Sequence, residues 1–197
     1  MLTLPALPAR YQYLIGAILA ILMIATREHH FASLHNLPGA SWAVFFLAGV
    51  YLRSGKSLFG FLALTLALDW SAYLATAESE FCLTSAYAFL LPAYSALWAT
   101  GRWFAAQYEG TWRTLVPFYF NLLTGALLCE LFSSGGFYFF SGAFKEPNLI
   151  EFWQRELHYF PLYLQSLLFY TGTAAVIHAT FALSLQSRSS RIETISQ

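Results

Sequence analysis

The sequence predicts an all-α integral membrane protein, on three observations. Of 197 residues, 58% are hydrophobic and only 10% charged, where a soluble domain carries about a quarter charged. Mean hydropathy is +0.54. Several apolar runs approach or exceed the ~20 residues a helix needs to cross a bilayer at ~1.5 Å per residue. In lipid each run must be helical, because an open strand would leave backbone polar groups unpaired.

Six transmembrane segments are expected, near 11–26, 40–52, 58–75, 83–100, 112–132 and 160–185, in a single domain over 1–197. The opening MLTLPALPAR lacks a basic region before the apolar one and carries two prolines, so the first helix is expected to stay in the mature chain. Gly16 and Ala20 give that helix a small-residue face for close packing, within the chain or against a partner. The second segment is too short to span upright unless 35–39 dips into the membrane or the helix borders a protein cavity. The third carries Asp69, the fourth opens at Cys82, and the fifth carries Cys129 and Glu130. Between the fifth and sixth lies a long outer connection, 133–159. Its glycines suggest a turn, EFWQRELHYF suggests an interfacial segment, and the whole suggests a lid.

Basic residues set the orientation. Arg10, Arg53, Lys56, Arg102, Arg113, Arg188 and Arg191 fall on the side of the termini. The other side has Arg27, Lys145 and Arg155 against six acids, Glu28, Glu78, Glu80, Glu146, Glu151 and Glu156. The positive-inside rule therefore puts both termini in the cytoplasm. His29, His30, His35, His158 and Cys82 then face outward, and His178 lies in the inner half of the sixth helix. Zero net charge without a basic stripe gives no reason to expect nucleic acid. No Gly-rich lysine loop is present, so this chain does not hydrolyse ATP.

The stretch 69–87, DWSAYLATAESEFCLTSAY, is what hydrophobicity leaves unexplained. An acid as deep as Asp69 costs at least ~2.5 kcal/mol unless paired or wetted. It is either a structural pair, with Arg155 or His30 as its partner, or a hydrogen-bond acceptor for a polar ligand. Tyr73 shares its helical face. A lone cysteine is most often a small buried apolar residue. Cys82, however, sits at the outer mouth near a helix N-terminus, where the dipole favours thiolate, and Cys129 is too deep to pair with it. Tyr87 follows about one and a half turns deeper. Glu28, His29, His30, His35 and Cys82 match no standard zinc spacing. Glu130 is either a packing pair or part of a polar path.

These residues resemble the pattern of the BtuM family of predicted bacterial vitamin B12 uptake proteins, which are similar to the S-components of energy-coupling-factor transporters. The resemblance covers the whole chain in size and helix count, and is carried by scattered residues: His30 in REHHF, Asp69 in LALDW, Cys82 and Tyr87 in EFCLTSAY, and Arg155 in WQREL. It implies a six-helix S-component-like bundle in the bacterial inner membrane, with a ligand pocket at the periplasmic face. The implied ligand is cobalamin, bound base-off with the Cys82 thiolate on cobalt, a soft donor on a metal with axial positions to fill. His30, Asp69, Tyr87 and Arg155 would meet the corrin amides. Position on the chain suggests Trp42, Tyr73, Phe81, Phe89, Phe137 and Tyr138 as apolar walls. Thiolate donation would also promote loss of cyanide from cyanocobalamin. The expected partners are cobalamin, the lipid bilayer, and either an energy-coupling ATPase module or none. Two rivals belong to other classes: a membrane enzyme using Cys82 as nucleophile or redox thiol, and a structural membrane subunit in which Asp69 and Arg155 are mere pairs.

Overall fold

The computed structural model describes residues 8–27, 38–52, 54–76 and 85–195. Six helices follow in order: α1 Ala9–Thr26, α2 Ser41–Tyr51, α3 Lys56–Thr76, α4 Leu90–Gln107, α5 Leu115–Phe140 and α6 Leu149–Ile195. No strand occurs among the described residues. Helices α1, α3, α5 and α6 are long and apolar enough to cross a membrane. Their outer faces are apolar as well. Leu14, Ile18 and Ile21 on α1, and Val116, Phe120 and Leu123 on α5, are exposed, an exterior suited to hydrocarbon.

The two helices outside that group form the centre. Helix α2 touches all five others and buries seven of its 11 residues, in an unbroken run over 43–49. A helix apolar on every side is a buried one. Its length of ~16 Å suffices because protein surrounds it. Of the two sequence-based alternatives for this short segment, the dip over 35–39 falls partly outside the described residues, and Leu47, Val50 and Tyr51 of α2 do border a cavity.

Helices α2 and α4 cross at two glycines. A Cβ on Gly49 would strike the Trp98 carbonyl oxygen, and one on Gly101 the Phe46 carbonyl oxygen. The Phe45 and Tyr94 rings also join these helices, stacked with centroids 4.3 Å apart. Gly125 likewise admits the Thr100 side chain where α5 meets α4. The small-residue face of α1 turns inward. Gly16 faces Leu52 Cδ1, 3.8 Å from where its Cβ would be, and Ala20 packs on the core.

Two boundaries differ from expectation. Helix α4 begins at Leu90, after a 3-10 turn over Ser85–Phe89, and not at 83. Pro92 marks this start, since a proline in the first turn of a helix removes an N–H that has no intrahelical partner. The expected lid over 133–159 is mostly helix: α5 continues to Phe140 and α6 starts at Leu149, leaving 141–148 as the connection. Of the glycines read as a turn, Gly142 takes a left-handed φ of 76° in the connection, whereas Gly136 serves packing. The Phe89 ring occupies the space a Cβ on Gly136 would need. Helix α6 also continues through Pro161. One stripe, Phe152, Glu156, Phe160, Leu164, Leu167 and Thr171, faces inward on both sides of the proline. That packing holds the helix together where one hydrogen bond is missing.

Candidate functional site

An acid within an apolar helix needs a counter-charge, and Asp69 of α3 finds Arg27, the residue that ends α1. The guanidinium forks onto the carboxylate, with Nε donating to Oδ1 and Nη2 to Oδ2, each at 2.6 Å. Its Nη1 donates to Ser41 Oγ at 3.0 Å, at the first residue of α2. The Tyr87 hydroxyl, from the 3-10 turn before α4, donates to Asp69 Oδ2 at 2.7 Å. One ion pair thus gathers four elements: the end of α1, the start of α2, α3 and the turn leading into α4. Its side chains are only 13% and 20% exposed, and a two-bonded guanidinium–carboxylate pair is the strong form of such contacts.

Sequence reasoning names Arg155 or His30 as the partner of Asp69. Arg27 holds that place in the structure. Helix α1 packs on α3, whereas α6, which carries Arg155, packs on α2 and α5. Arg155 lies exposed on α6, its guanidinium 4.8 Å from the Phe144 ring centroid. Asp69 and Tyr87 are therefore brought together, and Arg155 is engaged elsewhere. His30 and Cys82 lie outside the described residues, as do Glu28, His29, His35 and Phe81. Arg27 is the member of this cluster that sequence reasoning passes over. No sequence signal singles it out, because the pairing follows from α1 packing on α3.

A carboxylate has about four lone-pair sites, and Arg27 and Tyr87 take three of those on Asp69. Little acceptor capacity remains for a ligand. Asp69 acts instead as an anchor for the turn that follows the Cys82 segment, with Tyr87 five residues beyond the sulfur.

The electrostatics agree. Burial, then the hydrogen bond to Asp69, pushes the Tyr87 phenol above its ordinary range. Burial alone would lower Arg27, but the bond to Asp69, with further contributions from Tyr94 and the Asp69 charge, outweighs it and the guanidinium is raised on balance. The sign for Tyr87 is that of a group raised on folding. Its contribution is complete below the ordinary phenol value of about 10 and is lost as pH climbs above it. Tyr87→Phe removes one bond to a charged acceptor and is expected to cost about 1.5 kcal/mol. Thermal unfolding in detergent at neutral pH checks this, and a melting point equal to that of the parent would contradict it.

The aromatic side chains expected as walls divide into several groups. Trp42 stacks on Tyr163 with centroids 5.4 Å apart, and Tyr73 leans on Trp70. Phe89 stacks on Phe140, and Phe137 meets Phe144 edge-on. Tyr138 is buried; its hydroxyl donates to Glu151 Oε2 and accepts from the Asn148 N–H, both at 3.1 Å. It belongs to the α5–α6 elbow and not to an open wall. Beside that elbow lies an apolar hollow of about 330 Å³, lined by Phe89, Phe140, Phe152 and Trp153 among others.

Glu130 is buried and accepts a hydrogen bond from Ser134 Oγ, one turn on in the same helix, at 2.9 Å. Cys129 is a buried free thiol. Among the described residues no group of three His, Cys, Asp or Glu could hold a metal ion. His158 lies exposed on α6. Family models and curated proteins were both compared with the sequence, and neither gives a match.

Proposed function

We propose that this chain is a bacterial inner-membrane protein that binds cobalamin and serves its uptake, with both termini in the cytoplasm and the corrinoid entering at the Arg27 end. The observation that carries this reading is the convergence of Asp69 and Tyr87 through a 2.7 Å hydrogen bond. These are two residues of the scattered five-residue pattern, and Cys82 lies between them in the sequence. This bond ties the 3-10 turn that follows Cys82 in the sequence to α3. The apolar hollow beside Phe89 offers apolar area to one edge of the corrinoid and is too small to enclose the macrocycle.

On this reading the Cys82 thiolate takes one axial position of cobalt in place of the benzimidazole. A cyanide on the opposite face is weakened by that donation and leaves with its electron pair as cyanide ion, with no change in the oxidation state of cobalt. Asp69 and Arg27 position the segment and do not touch the corrin. Arg155 and His30 are the proposed contacts to the corrin amides. Because Gly16 and Ala20 face the chain's own core, an energy-coupling ATPase module, if one is used, docks on a different surface.

The test is spectroscopic. Protein purified from cells supplied with cyanocobalamin is expected to carry cobalt and a shifted corrinoid absorption spectrum. Cys82→Ala should return that spectrum to the free form, and Tyr87→Phe, which removes the tether to Asp69, should lower the share of protein that carries it. A colourless wild-type protein, or an unchanged spectrum in Cys82→Ala, rules out thiolate ligation.

A further inference from the structure

At the opposite end of the bundle from Arg27, α6 stands away from α2 and from the α4–α5 connection, leaving a cavity of about 420 Å³. Its lining sets Phe104, Trp112 and Phe118 beside Tyr51, Tyr108 and His178, among aliphatic side chains and three threonines. No Asp, Glu, Lys or Arg lines it. Ala175, Ala179 and Ala182 form the α6 side at helical spacing. Their small side chains are the reason the space exists.

The polar groups in this cavity do not close on one another. The Tyr51 hydroxyl lies 3.4 Å from His178 Nδ1, and the Tyr108 hydroxyl 3.0 Å from Nε2. A neutral imidazole has one N–H and one acceptor nitrogen. One tyrosine therefore donates to the ring, while the other accepts from it and keeps its own O–H unused. A protonated ring would donate at both nitrogens and leave both phenolic protons unused. In either state at least one O–H donor is left over, at the wall of an aromatic, uncharged hollow. An unused donor in such a setting costs free energy until an acceptor arrives.

We propose that this cavity binds a flat, uncharged, lipid-soluble ring bearing a carbonyl acceptor, of the quinone class. The ring would lie among Phe104, Trp112 and Phe118, and its carbonyl oxygen would accept from the spare tyrosine hydroxyl. The volume lies at the lower end of the range for small-molecule sites, and a corrin with its amide arms does not fit it. The lining explains the selection for a neutral ligand, because no charged side chain is there to offset the desolvation of an ion. This site is separate from the Cys82 end and does not depend on the cobalamin reading.

The experiment is a titration of the full chain in lipid nanodiscs with decylubiquinone, read by tryptophan fluorescence. A benzene ring carrying the same decyl chain serves as the carbonyl-free control. Saturable quenching is expected with the quinone, with its saturable part lost in Trp112→Phe. The carbonyl-free ring should bind at least tenfold more weakly. Ala179→Leu fills the hollow from an exposed position of α6 and should abolish saturation, and Tyr51→Phe with Tyr108→Phe should weaken binding at least tenfold. Quenching that rises linearly in every variant is partition into lipid and overturns the proposal. So does equal affinity for the carbonyl-free ring, or parental affinity in Ala179→Leu. If the double tyrosine variant does not fold, the control ring and Ala179→Leu still decide.

Discussion

Arg27→Ala is expected to destabilise the protein by about 3–5 kcal/mol, the cost of removing one partner from a largely buried ion pair. The magnitude follows from what is left behind. Asp69 would keep a single hydrogen bond, from Tyr87, in a position only 20% exposed. Ser41 would lose its donor as well. Arg27→Lys keeps the charge but not the fork, because an ammonium cannot present two parallel N–H groups to one carboxylate. It should fall between the parent and the alanine variant. Pairing Arg27→Met with Asp69→Leu should recover much of the loss, since a buried ion pair replaced by apolar side chains is often neutral. Thermal unfolding of the four proteins in one detergent measures the series. If Arg27→Ala melted with the parent, the pair would be a surface contact and the anchoring role of Asp69 would fall.

The second large effect is expected at the crossing of α2 and α4. A methyl group on Gly49 or Gly101 meets a backbone carbonyl oxygen of the facing helix, and backbone cannot rotate out of the way as a side chain can. The helices must separate, and contacts such as the Phe45–Tyr94 stack open with them. Gly101→Ala and Gly49→Ala are each expected to cost about 3 kcal/mol, the upper part of the overpacking range. Gly60→Ala and Gly172→Ala provide the contrast. No atom lies within 4 Å of a Cβ added at either position, so relief from glycine's backbone freedom should stabilise by roughly 0.5–1 kcal/mol. Denaturant unfolding of the four variants reads the sign directly. Equal effects at all four positions would mean that the glycines do not set the approach of the two helices.

Much of the architecture was legible in the chain. Long apolar runs bounded by polar residues mark α1, α3, α5 and α6, because the pattern follows from the solvent each helix would meet. The course of 133–159 was not legible. Gly135 and Gly136 look like turn residues in isolation, and only the ring of Phe89 on a different element explains why a helix keeps Gly136. The same holds for Pro161, where a stripe of inward side chains overrides a local breaker. At the candidate site, Asp69 was visible because an acid stands out in an apolar run. Its partner was not, since pairing depends on which helices are neighbours, and α1 beside α3 is a fact of packing. The tyrosine–histidine cavity gave no sequence signal. Tyr51, Tyr108 and His178 are far apart in the chain, and each alone reads as an ordinary aromatic.

The short central helix has a consequence for biogenesis. Eleven residues cannot cross a bilayer on their own, so a membrane insertion machine that tests segments singly would not retain α2. Its backbone ends would face hydrocarbon until neighbours enclosed them. Helices α1 and α3 must therefore be delivered with it as one unit, and α4 must arrive before that hairpin is stable. Truncations ending before α4 should accordingly be cleared by quality-control proteases, while chains that extend past Gln107 should accumulate.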